Sequence, residues 1–438
     1  VFQCSSDSSY WRSHKGGGQY DGRTGGRQPD FGATRRTVSV YCGAEYIKGK
    51  DRRILHMKKK LLASLLCMAM ASSLLIGCGG SSDSEKEGSS ATEEASGTQE
   101  STDASSKNST GEAVDASEVT VPEEKGDWVV GFSNYSAGNS WRQQMEAEFK
   151  EEAEALKKAG VISDYTMLNA DNDQSKQISD IRDLITMGCD AIVVTAITAD
   201  GLNDVLEEAE EEGIKVVNCD NLSSSTKLTS KVMVSDYDFG KLCGEWLGEQ
   251  LPDGGKVIEL NGTAGTSTDT NRAAGMEDGL AEASPDSEII ASVNADWDYA
   301  TAKTAVEELL NTYPEIDGVL SQGGAMTQAA MEAFEAAGRK LVPMTGEASN
   351  GFLRSWVEAK DKGFSSIAFV CPTTQSAIAL DVAVNALNGE EVQPEYLASE
   401  DPVTEENVDS VYRKDLSDNF WPAGTRLSEE KAQEMFAE

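Results

Sequence analysis

Short apolar runs alternate with longer amphipathic segments over most of the chain after residue 127. The first apolar run covers residues 128–132, and large apolar side chains then recur three or four positions apart, at Trp141, Met145 and Phe149. This spacing predicts a helix that ends at Gly160. The repeating pattern predicts further strands at 165–168, 191–195, 214–219, 232–235, 256–260, 288–293, 318–321, 341–345 and 366–370, and helices at 175–187, 202–212, 239–251, 271–283, 299–311, 326–337, 351–362 and 374–387.

Strands that are apolar throughout and are connected by helices are typical of parallel sheets covered on both faces. About 310 residues are too many for one core, so we predict an α/β protein with two doubly wound, Rossmann-like lobes. The predicted parts are an N-terminal lobe (127–234 with 372–396), a C-terminal lobe (235–371 with 397–415) and a C-terminal strap (416–438), in which residues 428–430 form a helix-start pattern.

A different pattern precedes the lobes. Three lysines at 58–60 lead into an apolar run over 61–76, which is shorter than the roughly twenty residues that span a bilayer. Residues 75–78 resemble the lipobox of a bacterial lipoprotein, so we predict a signal peptide at 57–77 and acylation of Cys78. An ordinary transmembrane anchor is less favoured, because the polar tract from Gly79 lacks stop-transfer charges. The predicted location is extracytoplasmic, on the cell membrane through a lipid anchor.

The segments on either side of this signal lack a hydrophobic period. Residues 1–56 are basic and rich in Gly and Arg, and the codons of Arg52-Arg53 can form a ribosome-binding sequence just before Met57. We interpret 1–56 as an untranslated upstream segment, and a disordered basic arm is the alternative. Residues 78–126 contain mainly Ser, Thr, Gly, Glu and Asp, which predicts a disordered acidic tether.

Charge and composition exclude several function classes. Residues 1–77 carry 13 Lys and Arg against 5 Asp and Glu, so the rest of the chain has a net charge of −45, compared with −37 for the whole. Such a charge argues against nucleic-acid binding. Both histidines, His14 and His56, lie in the predicted leader, which leaves no Ser-His-Asp or histidine-metal chemistry. Four cysteines remain in the folded part, with apolar flanks typical of buried side chains, and disulfides stay open: Cys189, Cys219, Cys243 and Cys371.

Polar side chains collect where the predicted strands end. Ligands of open parallel sheets bind beyond the carboxyl ends of the strands. These ends are rich in carboxylates, amides and tryptophans, the side chains that suit a polyhydroxylated ligand. They comprise residues 133–139, Asp171, Thr195 and 220–221 in the first lobe, and 261–263, 296–297, 321–323 and 346–347 in the second.

Four segments carry a resemblance to a known family. The longest is 256–267, Lys-Val-Ile-Glu-Leu-Asn-Gly-Thr-Ala-Gly-Thr-Ser, followed by Arg272 and Gly275, and the others are 217–220, 234–236 and 295–298. On these motifs, residues 128 to about 410 resemble periplasmic sugar-binding proteins of the ribose-binding type, the solute receptors of ABC importers. The resemblance implies the type I periplasmic-binding-protein fold. It also implies a three-crossing hinge near Ser235, 370–372 and 394–400.

The resemblance assigns roles to single residues. Trp141 and Trp297 would stack on the ligand, Asp220 would accept hydroxyl hydrogen bonds and Arg272 would donate them. With the strand-end residues, the predicted ligand-binding set is Asn134, Asn139, Trp141, Arg142, Thr195, Asp220, Asn221, Arg272, Trp297, Gln322, Gly323 and Glu347. The chain departs from ribose binders at 322–324, Glu347 and Phe369, which argues against ribose itself.

Simpler interpretations exist for several of these residues. Trp141 lies on the apolar stripe of its helix, where core packing is equally expected. For Arg272 the alternative is pairing with Asp269 or Glu277, and for Asp220 it is capping of a turn. Glu347 fits a solvated loop as well as a ligand contact. Residues 171–173 lack the glycine spacing and terminal glutamate of a calcium loop, so we interpret them as a turn.

The sequence therefore predicts a binding protein with no catalytic residue, cofactor or metal. Hinge closure would trap a monosaccharide or related polyol, and the partners would be ABC permease subunits. A sensory sugar or autoinducer receptor that signals to a membrane kinase is the alternative, and a glycoside-processing enzyme is less favoured. The membrane would be contacted only through the lipid anchor.

Overall fold

The computed structural model describes residues 113–438. The predicted upstream segment, the signal peptide, Cys78 and most of the tether lie outside the described residues. Among the helices that are described, none has both the length and the hydropathy needed to cross a bilayer.

The described chain alternates strands with helices. Its strands are β1 (Val114–Asp115), β2 (Trp128–Asn134), β3 (Ile162–Asn169), β4 (Ala191–Val194), β5 (Lys215–Cys219), β6 (Ser230–Met233), β7 (Lys256–Asn261), β8 (Glu288–Asn294), β9 (Gly318–Ser321), β10 (Met344–Glu347), β11 (Ser366–Phe369) and β12 (Glu395–Leu397). Its α-helices are α1 (Ser140–Ala159), α2 (Gln174–Met187), α3 (Asn203–Glu211), α4 (Asp236–Gln250), α5 (Ser267–Ala283), α6 (Tyr299–Thr312), α7 (Gly324–Ala336), α8 (Asn350–Ala359), α9 (Gln375–Asn388), α10 (Val408–Val411) and α11 (Glu429–Phe436).

Two parallel sheets form the frame of two lobes. The N-terminal sheet has the strand order β1-β12-β6-β5-β4-β2-β3, and the C-terminal sheet has the order β11-β10-β9-β7-β8. Apolar clusters cover both faces of each sheet, because successive strand residues point to opposite sides. In β4, Val193 packs with α1 and α9, whereas Ile192 packs with α2 and α3. The predicted architecture of two doubly wound α/β lobes is confirmed.

Part of the predicted tether is folded against the N-terminal sheet. Residues 113–126 were assigned to the disordered tether, but Val114–Asp115 pairs with Tyr396 and Leu397 at the edge of the sheet. Ala116 is buried, and Val114 and Val119 pack against the core of the N-terminal lobe. This part of the prediction is wrong, because a few small apolar residues are enough to cover a sheet edge that the sequence does not reveal.

The turn at residues 171–173 follows β3. Asp171 and Asn172 both adopt left-handed backbone conformations, with φ of 53° and 62°. The side chain of Asp173 accepts a hydrogen bond from the Lys176 N–H and caps α2. The segment is a turn, as predicted, and its last residue also caps α2.

The chain passes between the lobes at three places, after β6, after β11 and after β12. After the third passage it joins the C-terminal sheet, where Val403 and Ala368 exchange backbone hydrogen bonds of 2.7 and 2.9 Å. All four cysteines of the described residues are buried free thiols. Burial raises the pKa of Cys243 to about 12, which keeps that thiol protonated.

The strap after α10 contacts both lobes rather than one. Asn350, at the start of α8, donates its side-chain N–H groups to the carbonyls of Leu416 and Ser417 at 2.8 and 3.1 Å. On the other lobe, Arg426 is paired with the fully buried Asp381 of α9 at 2.9 Å. The C-terminal segment therefore ties the two lobes together in addition to the three crossings.

The backbones of helices α4 and α5 are so close at their glycines that a Cβ atom there would collide with the other helix. A Cβ atom at Gly244 would lie 2.2 Å from the Met276 carbonyl oxygen, and one at Gly275 would lie 2.1 Å from that of Tyr237. Only glycine fits such backbone-to-backbone contacts. The contact sets the position of α5, which carries Arg272 into the cleft.

We expect Gly244→Ala to lower the free energy of unfolding by at least about 2 kcal/mol, because the added methyl group meets rigid backbone rather than a mobile side chain. Chemical denaturation followed by circular dichroism measures this. Leu242→Ala, on the exposed face of the same helix, is the matched control and should change stability little. Equal effects of the two substitutions would contradict the proposed close packing.

Candidate functional site

A cavity of about 260 Å³ lies between the lobes at the carboxyl ends of the strands. Loops of both lobes line it, and Leu222 N–H of one lobe donates to Ser267 Oγ of the other at 2.8 Å. The lobes are thus in contact beside the cavity. Nine of the twelve predicted ligand-binding residues line it: Asn139, Trp141, Arg142, Asp220, Asn221, Arg272, Trp297, Gly323 and Glu347.

Arg142 is the buried arginine on the N-terminal side of the cavity. Asn139 caps α1 by accepting the Arg142 N–H at 2.9 Å, which places the arginine in the first turn beside the cleft. Its guanidinium binds the Asp220 carboxylate at 2.5 Å and stacks on the Tyr135 ring at 3.8 Å. A further bond reaches Asn134 Oδ1 at 3.2 Å. Arg142 therefore joins the loops after β2 and β5.

Two predicted ligand residues lie behind this wall. Thr195 Oγ donates to Asn134 Oδ1 at 2.9 Å, and Asn134 donates to Glu146 Oε1 at 2.8 Å. Both side chains are buried, and neither lines the cavity. Their contacts hold the loop that supports Arg142.

Asp220 and its neighbour Asn221 follow β5. Asp220 has a φ of 59°, a strained value for a residue with a side chain. Its carboxylate forms an ion pair with Arg142. The alternative that was considered from the sequence was the capping of a turn. Asn221 donates to the Tyr135 hydroxyl at 3.0 Å, and its Oδ1 is buried without a hydrogen-bond partner among the described residues. Asn221 lines the cavity, while this oxygen itself is buried.

Arg272 is the corresponding cation of the C-terminal lobe. Its Nε donates to Asp236 Oδ1 at 2.9 Å, and its Nη1 lies 3.5 Å from Glu347 Oε1. The guanidinium also stacks on Phe239 at 4.0 Å. The suggested pairing with Asp269 or Glu277 is wrong, because Asp269 instead accepts the Gly262 N–H.

Gln322 supports the site from behind and does not line the cavity. Its Nε2 donates to Asn261 Oδ1 at 2.8 Å, and its backbone carbonyl accepts from Arg272 at 3.0 Å. The next residue, Gly323, does line the cavity. A Cβ at that position would lie 2.9 Å from Trp297 Cδ1, so the glycine leaves room for the indole ring.

The tryptophans are held in different ways. Asp296 and Trp297 both have left-handed backbones, and a Cβ at Gly262 would lie 2.1 Å from the Trp297 ring. Trp297 Nε1 is buried with no partner among the described residues. Trp141 combines both roles that the sequence left open. It packs in the core, donates to the Cys371 carbonyl at 2.8 Å and lines the cavity.

The site holds two guanidinium groups and three carboxylates, from Asp220, Asp236 and Glu347. Burial raises the pKa of Glu347 to about 7, and Asp220 and Asp236 add to the rise while Arg272 opposes it. Glu347 is 5% exposed, so it is buried rather than a solvated loop residue. Two guanidinium groups thus face three carboxyl groups.

Sequence reasoning missed the contribution of the strap. Asn419 and Trp421 line the cavity, although both lie more than 70 residues after Glu347. The only signal was an aromatic pair, Phe420-Trp421, within a polar stretch. Tyr135, which lies beneath Arg142, was also missed.

Comparisons with known proteins agree with this geometry. A family profile described as a periplasmic binding protein domain matches residues 130–391. The chain is 26% identical to a ribose import binding protein of Bacillus subtilis strain 168, over 61% of this chain and 85% of that protein. It is 28% identical to a xylitol-binding protein of Mycolicibacterium smegmatis, over 60% of this chain and 74% of that protein.

Among solved structures, it is similar to the fructose binding periplasmic domain of a hybrid two component system. The TM-score is 0.58 at 25% identity, and the match covers 65% of this chain and 92% of that one. All three proteins are named for a ligand that they bind and not for a reaction. The profile covers more than half of the chain, so the chain belongs to the periplasmic binding protein family and is a binding protein.

Proposed function

We propose that the protein is an extracytoplasmic, lipid-anchored receptor of an ABC importer that closes its lobes around a monosaccharide or related polyol. The observation that carries the proposal is a cavity lined by both lobes, with tryptophans beside buried polar groups. Its volume of about 260 Å³ suits a ligand of the size of one sugar ring. The ribose- and xylitol-binding relatives support the same ligand class.

The polar groups of the wall favour a hydroxylated, uncharged ligand. Asn221 Oδ1 is an unpaired acceptor and Trp297 Nε1 an unpaired donor, and a buried polar atom without a partner is costly. A ligand hydroxyl that reached either atom would satisfy it. The arginines already have carboxylate partners, so neither offers an unpaired charge to an anionic ligand.

Binding and closure are coupled in this arrangement. Asp220 and Asn221 belong to one lobe, whereas Arg272 and Trp297 belong to the other. A ligand contacts all four only when the lobes are together, so its binding free energy favours the closed state. No covalent step is involved.

A thermal-shift panel of pentoses, hexoses and their alditols tests the proposal. A true ligand at a hundred times its Kd should stabilise the protein by about 2.7 kcal/mol. Trp297→Ala should abolish most of the shift, because it removes an aromatic wall and a hydrogen-bond donor. Arg272→Ala should also abolish most of the shift. If the alanine variant fails to fold, Arg272→Lys is used instead, because it keeps a positive charge beside Asp236 and Glu347.

Trp246→Ala, on α4 and outside the cavity, is the matched control and should retain the ligand-induced shift. No shift with any sugar or polyol would overturn the proposed ligand class. An unchanged Kd in both Trp297→Ala and Arg272→Ala would show that the ligand binds elsewhere.

The affinity should rise between pH 5.5 and 8. Glu347, which faces Arg272, Asp236 and Asp220, loses its proton near its pKa of about 7, and an ionised carboxylate is the stronger hydrogen-bond acceptor. Glu347→Gln should flatten this profile in calorimetric titrations with a sugar from the panel. Glu288→Gln, exposed on β8, is the control. An equally steep rise in Glu347→Gln would exclude Glu347 as a ligand contact.

The same carboxyl links pH to folding. The pKa of Glu347 in the folded protein lies above its ordinary value of 4.5, so its contribution to stability is fully present below that value. The contribution is lost as the pH rises through about 7. The free energy of unfolding of the unliganded Glu347→Gln variant should therefore fall less over this range than that of the unsubstituted protein.

We further propose that Cys78 carries the lipid anchor. Its support is the sequence pattern at 57–78, in which a basic start and an apolar run precede a lipobox-like Leu-Ile-Gly-Cys. Cys78→Ala should release the protein from the membrane fraction of an expressing bacterium, as fractionation and immunoblotting measure. Continued recovery of the alanine variant in membranes would contradict acylation at this position.

A sensory receptor is the second candidate. The similarity to the periplasmic domain of a two component system favours it, because that domain belongs to a signalling protein. Uptake of labelled ligand by cells lacking the protein separates the candidates, since only an importer component is required for uptake.

A further inference from the structure

The strap supplies a wall of the cavity that neither lobe provides. Asn419 and Trp421 line the cavity, yet they lie in the C-terminal segment, outside the alternating strands and helices of both lobes. Trp421 is 7% exposed. Because Trp421 belongs to the strap, the position of its indole depends on the contacts between the strap and the two lobes.

The N-terminal lobe holds Trp421 by its backbone and by its ring. The fully buried Gln144 donates from Nε2 to the Trp421 carbonyl at 2.9 Å and accepts the Trp421 N–H at its Oε1 at 3.0 Å. The indole N–H donates to Ser140 Oγ at 3.1 Å. Three hydrogen bonds to α1 thus fix the position of Trp421.

Further contacts fix the strap beyond Trp421. The Glu148 carboxylate, also on α1, accepts from Thr425 Oγ at 2.7 Å and from the Arg426 N–H at 3.3 Å. Arg426 is in turn paired with Asp381 of α9. The strap from 421 to 426 is therefore preorganised on the N-terminal lobe.

The preceding residues belong to the other lobe. The Phe420 carbonyl accepts from the Asn350 N–H at 2.8 Å, and the Asp418 carbonyl accepts from the Gly351 N–H at 3.1 Å. Contacts change from one lobe to the other between Phe420 and Trp421. The tryptophan consequently lies where the strap crosses the cleft.

We propose that Trp421 is a ligand-contacting residue that determines specificity by covering the C–H face of a sugar ring. Its indole N–H is already bonded to Ser140, so it offers the cavity an apolar ring rather than a polar atom. Trp297 differs, because its Nε1 has no partner among the described residues. The proposal rests on the proposed function and assigns a ring sugar, rather than an open-chain polyol, as the preferred ligand class.

Calorimetric titrations with D-ribose and ribitol, D-xylose and xylitol, and D-galactose and galactitol test this role. Trp421→Ala should weaken binding of a cyclic sugar at least about tenfold and that of its alditol less, because a ring presents a rigid apolar face. Trp421→Phe should restore most of the affinity. Trp421→Leu keeps an apolar side chain without a flat ring, so it should not restore the affinity. This variant replaces Trp421→Ala in the test if the alanine variant fails to fold.

Phe436→Ala is the matched control within the strap. Phe436 packs on Phe420 at 5.4 Å between ring centres and does not line the cavity. Its loss should lower the melting temperature and leave the Kd within about threefold. Equal loss of affinity in Phe436→Ala and Trp421→Ala would show that the strap acts only structurally, which overturns the proposal.

The remaining outcomes separate this proposal from the proposed function. If Trp421→Ala keeps the Kd within twofold while Trp297→Ala loses binding, the cavity binds sugar without the strap and only the present proposal fails. Equal losses for cyclic sugar and alditol overturn the assigned preference. If no panel member binds the unsubstituted protein, the proposed function fails, and this proposal fails with it.

Discussion

The burial of one arginine in each lobe is the constraint on which the cleft depends. A guanidinium group remains charged when buried, so it must be surrounded by carboxylates, carbonyls or aromatic faces. Arg142 satisfies this with Asp220, Asn134 and Tyr135, and Arg272 does so with Asp236, Glu347 and the Gln322 carbonyl. Because the partners come from different strand ends, each arginine fixes several loops at once. The two arginine charges beside the cavity are therefore paired rather than free.

Tight backbone packing and the strap complete this arrangement. The glycine contacts between α4 and α5 bring Arg272 to its partners, since a larger side chain would separate the two helices. The strap fixes the lobes relative to each other, because Asn350 binds it on one side and Gln144 on the other. Lobe opening must therefore break polar contacts of the strap, and a ligand that keeps the lobes closed preserves them.

Much of the fold was predictable because it depends on local periodicity. Apolar runs of four to eight residues and three-to-four spacing identify parallel strands and covering helices without knowledge of their partners. The rule that ligands bind at the carboxyl ends of strands then placed Asp220, Trp297 and Glu347 at one edge. It did not separate side chains that face the cavity from those behind it. Asn134, Thr195 and Gln322 occupy equivalent strand ends but point into supporting networks.

The sequence alone determined the two-lobed α/β class, the acidic character of the folded part and the chemistry available at the strand ends, since these follow from composition and short-range pattern. Tertiary structure decided which charges pair, as Arg272 shows by binding Asp236 rather than a neighbour on its own helix. It also decided that β1 covers a sheet edge and that Trp421 enters the cavity. The physical reason is the same in each case. Contacts between residues far apart in the chain depend on packing geometry, which no local period encodes.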